Sequence, residues 1–203
     1  MKIAIVGASG NAGSRITAEL ARRGHAVTAI ARHPEKIAAG PNVTAKPGDV
    51  LDQAGLTQLF AGHEVAISSV HFLDSDPVRL IGAARDSKVG RYFVVGGAGS
   101  LEVAPGVRLV TIPAFPAQYK AEAEKGGAFL DLLRQEKDLN WTFLSPSALF
   151  VPGERTGKFR LGTDQLLTAT DGKSSISFED FAVALVDEIE RPAHIRGRFT
   201  VGY

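Results

Sequence analysis

Short apolar runs rich in β-branched residues alternate along the chain with longer segments of helical periodicity. This alternation is typical of βαβ units, in which crossover helices join parallel strands. It predicts an α/β fold with a doubly wound parallel sheet and helices on both faces. The predicted strands are Lys2–Val6, Ala26–Ala31, Val43–Lys46, Val65–Ser69, Tyr92–Val95, Thr142–Ser145 and Arg198–Val201, and the predicted helices are Ala12–Arg23, Leu51–Phe60, Val78–Ser87, Gln118–Gln135 and Phe178–Glu190.

The stretch 151–175 departs from this alternation. It is rich in glycine, threonine and charged residues, and only Lys158–Thr170 alternates weakly. We expect loops and a short hairpin attached to the main sheet, and segments of this kind commonly cover a bound substrate. A chain of 203 residues is of a size for one domain. The sequence therefore predicts a single domain, 1–203, with 151–175 as a small C-terminal lobe on the substrate side.

Composition narrows the classes of function. The net charge of +1 provides no general attraction to nucleic acid or to an anionic membrane. The absence of cysteine excludes thiolate catalysis and disulfides, and no histidines have the spacing of a metal site. The N-terminal apolar run is too short for the core of a signal peptide. We expect a cytoplasmic protein, a monomer or homodimer, whose partner is a small molecule rather than nucleic acid or membrane.

The first predicted strand leads directly into a glycine turn, Gly7-x-x-Gly10-x-x-Gly13, and a helix follows at once. Gly7 permits a tight turn, Gly10 leaves room for phosphates, and Gly13 lets the helix pack closely. The N-terminal N–H groups and the dipole of the helix then face the anion. Strand, turn and helix together predict a Rossmann-type site for the pyrophosphate of a dinucleotide, with Asn11 and Ala12 among its contacts.

The residue after the second predicted strand indicates which dinucleotide binds. A site for NAD would place an acidic residue there to accept from the ribose 2′-hydroxyl, whereas this chain has Arg32. A guanidinium can instead bind a 2′-phosphate through two parallel hydrogen bonds. Ser9 in the glycine turn could donate to the same phosphate, and Lys36 could add a charge. The prediction is NADP(H) in preference to NAD(H).

Further contacts are expected at the carboxyl ends of the other parallel strands, where such sheets bind ligands. Asp49 could accept from the adenine amino group while Val50 packs on the ring, although an aspartate there could equally cap the next helix. The backbone after the fourth strand should pass the ribose, and the glycines after the fifth should keep space for the nicotinamide. These residues are Ser68, Ser69, Val70, Gly96 and Gly97.

The chain resembles the atypical short-chain dehydrogenase/reductase superfamily, and in particular its small NAD(P)H-binding group, which includes biliverdin reductase B-type flavin reductases and bacterial NADH-flavin reductases. The resemblance covers essentially the whole chain. It implies that the loop at Pro146 passes near the nicotinamide and that the region 155–167 shapes the substrate side. The segments that carry it are 7–13, Arg32, 48–50, 145–150, 176–182 and 198–203.

The superfamily's usual catalytic pair, Tyr-x-x-x-Lys, is not present in its normal spacing. Tyr119 is followed at once by Lys120, and position 123 is alanine. Either irregular geometry at a helix start rescues a Tyr119–Lys120 pair, or no tyrosine acid is used. Ser100 could orient the acceptor or the carboxamide, and His71 could contact the acceptor. Reduction of a flavin or quinone tolerates the loss, because the proton can come from water.

These observations predict an NADP(H)-dependent oxidoreductase that transfers hydride to a flavin, quinone or similar conjugated small molecule. Two alternatives remain open. One is a non-catalytic NADP(H) sensor that regulates a partner protein, and the other is a carbonyl reductase or an epimerase-like enzyme that uses Tyr119.

Overall fold

A computed structural model describes all residues, 1–203. The strands are β1 (Lys2–Val6), β2 (Ala26–Ala31), β3 (Val43–Pro47), β4 (Val65–Ser68), β5 (Arg91–Val95), β6 (Glu102–Ala104), β7 (Val107–Arg108), β8 (Trp141–Pro146), β9 (Leu149–Val151), β10 (Arg160–Gly162), β11 (Ser175–Ser177) and β12 (Gly197–Gly202). The α-helices are α1 (Asn11–Arg22), α2 (Gln53–Phe60), α3 (Pro77–Asp86), α4 (Ala117–Leu133) and α5 (Phe178–Glu190).

One eight-stranded sheet organises the molecule, in the order β10-β12-β8-β5-β4-β1-β2-β3. All its pairs are parallel except that of the edge strand β10 with β12. The strand order reverses beside β1, since β2 and β3 lie on one side of it and β4 and β5 on the other. The predicted doubly wound α/β fold is confirmed, and β1, β2 and α5 have the predicted bounds.

Each face of the sheet buries its own apolar core. On one face the side chains of α1 and α5, such as Ile16 and Phe181, cover the inward residues of β1, β4 and β12. On the other face α2, α3 and α4 contribute residues such as Phe60, Leu80 and Phe129. None of the helices is long and apolar enough to cross a membrane.

Two parts of the chain differ from the expected pattern. The segment 158–170 does not fold back on itself as a hairpin, because β10 instead pairs with β12 at the sheet edge. The flanking strands β9 and β11 pair with each other in parallel and form a separate two-stranded sheet. A short hairpin does occur, but it is β6–β7, between β5 and α4, where no strands were predicted.

Residues 153–157 are fastened to α1 and α5. The guanidinium of Arg155 donates two hydrogen bonds, of 2.9 and 3.0 Å, to the buried carboxylate of Glu19. The N–H of Gly157 donates to Asp180 Oδ1 (2.7 Å), and Asp180 is fully buried. The side chains that were expected to form a substrate-side lobe therefore hold two helices together.

Candidate dinucleotide and substrate site

The glycine turn after β1 is packed so closely that two of its glycines have no room for a side chain. Gly7 has φ +84°, and a Cβ there would lie 2.0 Å from the carbonyl oxygen of Ser69. A Cβ on Gly13 would lie 2.1 Å from the carbonyl oxygen of Gly7, so α1 rests directly on the turn. Gly10 differs, because its Cβ would meet only the oxygen of Gly7, at 3.3 Å. Its missing side chain therefore leaves space on the ligand side of the turn.

The start of α1 has no capping side chain. Gly10 occupies the N-cap position, and no other side chain accepts from the first turn. By contrast, α2, α3 and α5 are capped by Asp52, Asp76 and Ser177. The first N–H groups of a helix need an acceptor, and together with the helix dipole they attract an anion. The uncapped helix behind the glycine turn fits the pyrophosphate of a dinucleotide.

A cavity of about 820 Å³ extends from this helix start past the carboxyl ends of β4, β5 and β8. This volume lies within the range of about 300–1,000 Å³ that is typical of small-molecule sites. The cavity runs along the edge of the sheet where the strand order reverses, as expected for this architecture. The predicted cofactor contacts on its wall are Gly10, Asn11, Ala12, Ser69, Val70, Gly96, Gly97 and Pro146.

The residues predicted to meet the adenosine lie beside this cavity rather than on its wall. The N–H groups of Gly7 and Ala8 both donate to the carbonyl oxygen of Ile30, which ties the glycine turn to the end of β2. Arg32 follows β2 directly, is exposed and makes no ion pair with any side chain. Ser9 is exposed in the adjacent turn. A free guanidinium is thus available where the ribose 2′-position is expected.

Asp49 and Asp52 accept hydrogen bonds from different backbone groups. Asp52 caps α2 by accepting from the N–H of Gly55 (3.0 Å). Asp49 accepts from the N–H of Leu51 (2.9 Å) through one oxygen and is exposed, so its other oxygen remains accessible. Val50 is half-buried against the core. The residue pair at 49–50 therefore stays a prediction for the adenine contact, whereas helix capping belongs to Asp52.

Two predicted serines lie away from the wall. Ser68 is buried, and its hydroxyl accepts a hydrogen bond of 2.9 Å from Tyr92. Burial raises the pKa of that tyrosine well above 10. Ser100 is also buried, and its hydroxyl accepts from the guanidinium of Arg198 (3.4 Å). Ser100 therefore does not line the cavity, where an acceptor-orienting group would lie, because its hydroxyl is engaged by the guanidinium of Arg198.

The structure separates Tyr119 from Lys120. Tyr119 lies in the first turn of α4, has 61% of its surface exposed and lines the cavity. Lys120 is exposed but does not line the cavity, since adjacent helical residues point about 100° apart. Position 123, one turn after Tyr119, brings an alanine methyl group to the wall. No lysine lies on the cavity wall, so Tyr119 has no ammonium beside it on that wall.

Glu122 is a residue of the site that the sequence did not single out. It lines the cavity from α4, and its two carboxylate oxygens accept from the N–H groups of Phe72 (2.7 Å) and Leu73 (2.9 Å). Its oxygen also lies 3.5 Å from Nδ1 of His71, whose side chain is 83% exposed at the cavity. Because 49 to 51 residues separate Glu122 from these partners, no local sequence pattern predicts the contact.

Another part of the cavity wall comes from residues 109–116, which lie between the β6–β7 hairpin and α4. Leu109, Ile112 and Phe115 line the cavity there, and Leu149, Phe150 and Phe178 line it from β9 and α5. None of residues 151–175 lies on the wall. Residues of the segment 109–119 thus form part of the cavity wall, whereas the Arg155 segment predicted to shape the substrate side packs against α1.

This fold and this glycine turn define an NAD(P)H-binding protein of Rossmann type. Residues 7–192 match the NAD(P)H-binding family, and the chain belongs to that family.

Three relatives cover almost the whole chain. The "uncharacterized protein YwnB" of Bacillus subtilis is 40% identical over an alignment that covers 99% of this chain and 98% of that protein. A solved structure named a "putative epimerase" of Bacteroides thetaiotaomicron is 39% identical with a TM-score of 0.95, covering 100% and 96% of the two chains. A "putative NADH-flavin reductase" of Streptococcus pneumoniae is 36% identical with a TM-score of 0.86, covering 100% and 99%.

Proposed function

We propose that this protein is an NADP(H)-dependent oxidoreductase that reduces a flavin, a quinone or a similar conjugated small molecule by hydride transfer. The observation that carries the proposal is the composition of the cavity wall. It begins at an uncapped helix start suited to a pyrophosphate and continues into an apolar chamber without a lysine. A similar chain of Streptococcus pneumoniae bears the name of an NADH-flavin reductase, which supports the same acceptor class.

The missing lysine bears on the type of acceptor. Reduction of a ketone benefits from a tyrosine acid whose pKa a neighbouring ammonium lowers. A flavin or quinone accepts hydride on an electron-poor ring, and water can supply the accompanying proton. The reduced nicotinamide would supply the hydride when bound. The chain's own residues bind and orient the two rings, and the apolar side chains of Leu109, Ile112 and Phe115 limit access of water.

The preference for NADP(H) rests on Arg32. Its guanidinium follows β2, is exposed and has no acidic partner, and Ser9 lies in the neighbouring turn. A 2′-phosphate would gain a charge-assisted hydrogen bond there, whereas the 2′-hydroxyl of NADH would gain a weaker one.

A second candidate is an epimerase-like or carbonyl-reducing enzyme. It is favoured by one observation, the presence of Tyr119 on the cavity wall, and by the name of the Bacteroides relative. In that case the phenol would have to exchange its proton with the substrate without an ammonium beside it.

The deciding experiment measures NADPH oxidation by the loss of nicotinamide absorbance. The candidate acceptors are FMN, riboflavin, menadione and several aldehydes, and NADH is tested in parallel. The matched control is Gly10→Ala, prepared identically, because it obstructs the phosphate site and so exposes any contaminating reductase. Turnover of flavins or quinones with NADPH preferred supports the proposal. Turnover of aldehydes alone favours the second candidate. Tight NADPH binding without any turnover contradicts both enzymatic functions and favours a sensor.

A further inference from the structure

The charges on the cavity wall are unbalanced. Glu122 is the acidic residue of the wall, His71 is the other ionisable group besides Tyr119, and neither lysine nor arginine lies there. Both oxygens of Glu122 accept backbone hydrogen bonds, from Phe72 and Leu73, which is the role that an ionised carboxylate fills. A bound dinucleotide would add the negative charge of its pyrophosphate. The chamber therefore favours neutral molecules over anions.

Arg15, which contacts a wall residue, and Arg108 and Lys120, which adjoin wall residues in sequence, are paired or face away. The guanidinium of Arg15 lies 5.7 Å from the ring centroid of Phe178, but its Nε donates to Glu179 at 3.0 Å. Lys120 is exposed on the neighbouring face of α4, away from the wall. A phosphate or carboxylate on the acceptor would therefore enter the chamber without an ionic partner.

The remaining surface suits a flat ring. Phe150 and Phe178 both line the cavity and pack edge to face, with centroids 4.5 Å apart and planes at 72°. Leu109, Ile112 and Phe115 contribute aliphatic and aromatic surface from the other segment. Burial of a conjugated ring against such surface is favourable because it removes apolar area from water.

We propose, building on the reductase function above, that the acceptor is an uncharged conjugated ring compound of the quinone or unphosphorylated flavin type, and that Glu122 discriminates against acceptors carrying an anionic group. Glu122 acts on specificity by its charge and does not take part in hydride transfer. The hydrogen bond that Glu122 accepts from the N–H of Phe72 holds that charge in a fixed position.

Riboflavin and FMN form the matched pair that tests this proposal, because they share one ring system and differ by a phosphate. The assay is run at saturating NADPH and at pH 8, where histidine side chains are ordinarily neutral. We expect kcat/KM for riboflavin to exceed that for FMN by roughly tenfold, the effect of one close charge repelling a dianion in a partly hydrated site. Added salt should raise kcat/KM for FMN and narrow the ratio. Equal values, or a preference for FMN, would overturn the proposal.

The residue is tested by Glu122→Gln, which keeps the side chain's size and one acceptor oxygen. The riboflavin-to-FMN ratio should fall toward one while menadione is still reduced. Glu124→Gln is the matched control, since Glu124 is exposed on the same helix, makes no ion pair and does not line the cavity. An unchanged ratio in Glu122→Gln would remove this role from Glu122. If Glu122→Gln does not fold, the effect of salt on the riboflavin-to-FMN ratio of the native protein decides whether charge repulsion operates.

Failure of the reductase function has a different signature. If no acceptor is reduced, the same flavin pair is compared by fluorescence quenching with the NADP⁺-loaded protein, which requires no turnover. Tighter binding of riboflavin than of FMN would support the charge discrimination without the enzymatic function. Equal binding, or binding of neither flavin, would overturn it.

Discussion

Gly126 of α4 lies directly against the ring of Phe72, so that a Cβ at position 126 would come within 2.7 Å of a ring carbon. The ring in turn packs edge to face on Phe129, with centroids 5.8 Å apart, and stacks with Phe143 at 6.4 Å. The absent side chain thus allows α4 to reach the loop after β4. This close packing is the reason for a glycine inside a helix, where it costs about 1 kcal/mol relative to alanine.

The neighbouring glycines of α4 should respond to alanine in opposite directions. Gly126→Ala should lower the free energy of unfolding by about 1–3 kcal/mol, because the buried ring cannot move freely. Gly127→Ala, whose Cβ would have its nearest contact at 3.6 Å, should raise it by up to about 1 kcal/mol through helix propensity. Urea denaturation measures both. Equal destabilisation would contradict the packing argument.

Alanine substitution at two glycines of the dinucleotide turn, Gly10 and Gly7, should have different effects. Gly10→Ala should leave the fold intact, because its backbone, φ −75° and ψ 173°, suits any residue, yet weaken NADPH binding by roughly tenfold or more through obstruction of the phosphates. Gly7→Ala should instead unfold the protein or prevent its accumulation, since its Cβ would overlap the carbonyl of Ser69. Calorimetric titration and thermal denaturation distinguish the two effects. Unaltered affinity in Gly10→Ala would place the pyrophosphate elsewhere.

The sequence predicted the fold more closely than the site. β1, β2 and α5 were predicted with their observed bounds, because apolar runs, a glycine turn and the Ser177 cap are local signals. Glu122 was not predicted, because in sequence it is one of several charged residues on a helix that reads as a solvent-exposed surface. Its partners Phe72 and Leu73 become neighbours only when α4 packs against the loop after β4. The wall at 109–116 was missed for the same reason.

Ser100 and Arg155 show the opposite error. Each has chemistry suited to a ligand and lies in a segment expected near one. In the folded chain the hydroxyl of Ser100 faces Arg198, and the guanidinium of Arg155 faces Glu19. A polar group that finds a buried partner is no longer available to a substrate, and residue spacing alone does not reveal such long-range pairing.

Arg32→Ala tests the cofactor preference. Loss of a charge-assisted hydrogen bond should weaken NADPH binding by about 1.5–3 kcal/mol, which is roughly 10- to 150-fold, with little change for NADH. Lys137→Ala is the control, since Lys137 is an exposed cation after α4 that makes no ion pair and does not line the cavity. Fluorescence titration with both dinucleotides provides the measurement. Similar losses for the two cofactors would show that Arg32 does not bind the 2′-phosphate.

Tyr119→Phe tests whether a phenol takes part in the reaction. Because no lysine accompanies Tyr119 on the cavity wall, we expect kcat with flavin or quinone acceptors to change by less than about threefold. Lys120→Ala should change this kcat equally little. A loss of about a hundredfold in the tyrosine variant, with unchanged NADPH affinity, would establish an acid role and favour the epimerase-like alternative.

Glu19 should make stability depend on acidity. Burial raises the pKa of Glu19, but hydrogen bonds from Arg155, Arg22 and Arg23 outweigh it and hold the pKa well below the ordinary value of 4.5. A pKa lowered by folding stabilises the protein above the unfolded-state pKa, and this contribution is lost as pH falls. Urea denaturation should show stability declining below about pH 5, and less steeply in Glu19→Gln than in the exposed-site control Glu124→Gln. Parallel profiles would contradict this role of the cluster.

The packing of α1 on α5 has a consequence for biosynthesis. The helix that follows the dinucleotide turn is synthesised long before residues 178–190, which cover its apolar face. Arg155, which pairs with Glu19, is also made after most strands of the sheet. The nascent chain therefore carries this βα unit uncovered until α5 has emerged, and the nucleotide-binding end of the molecule is completed only then.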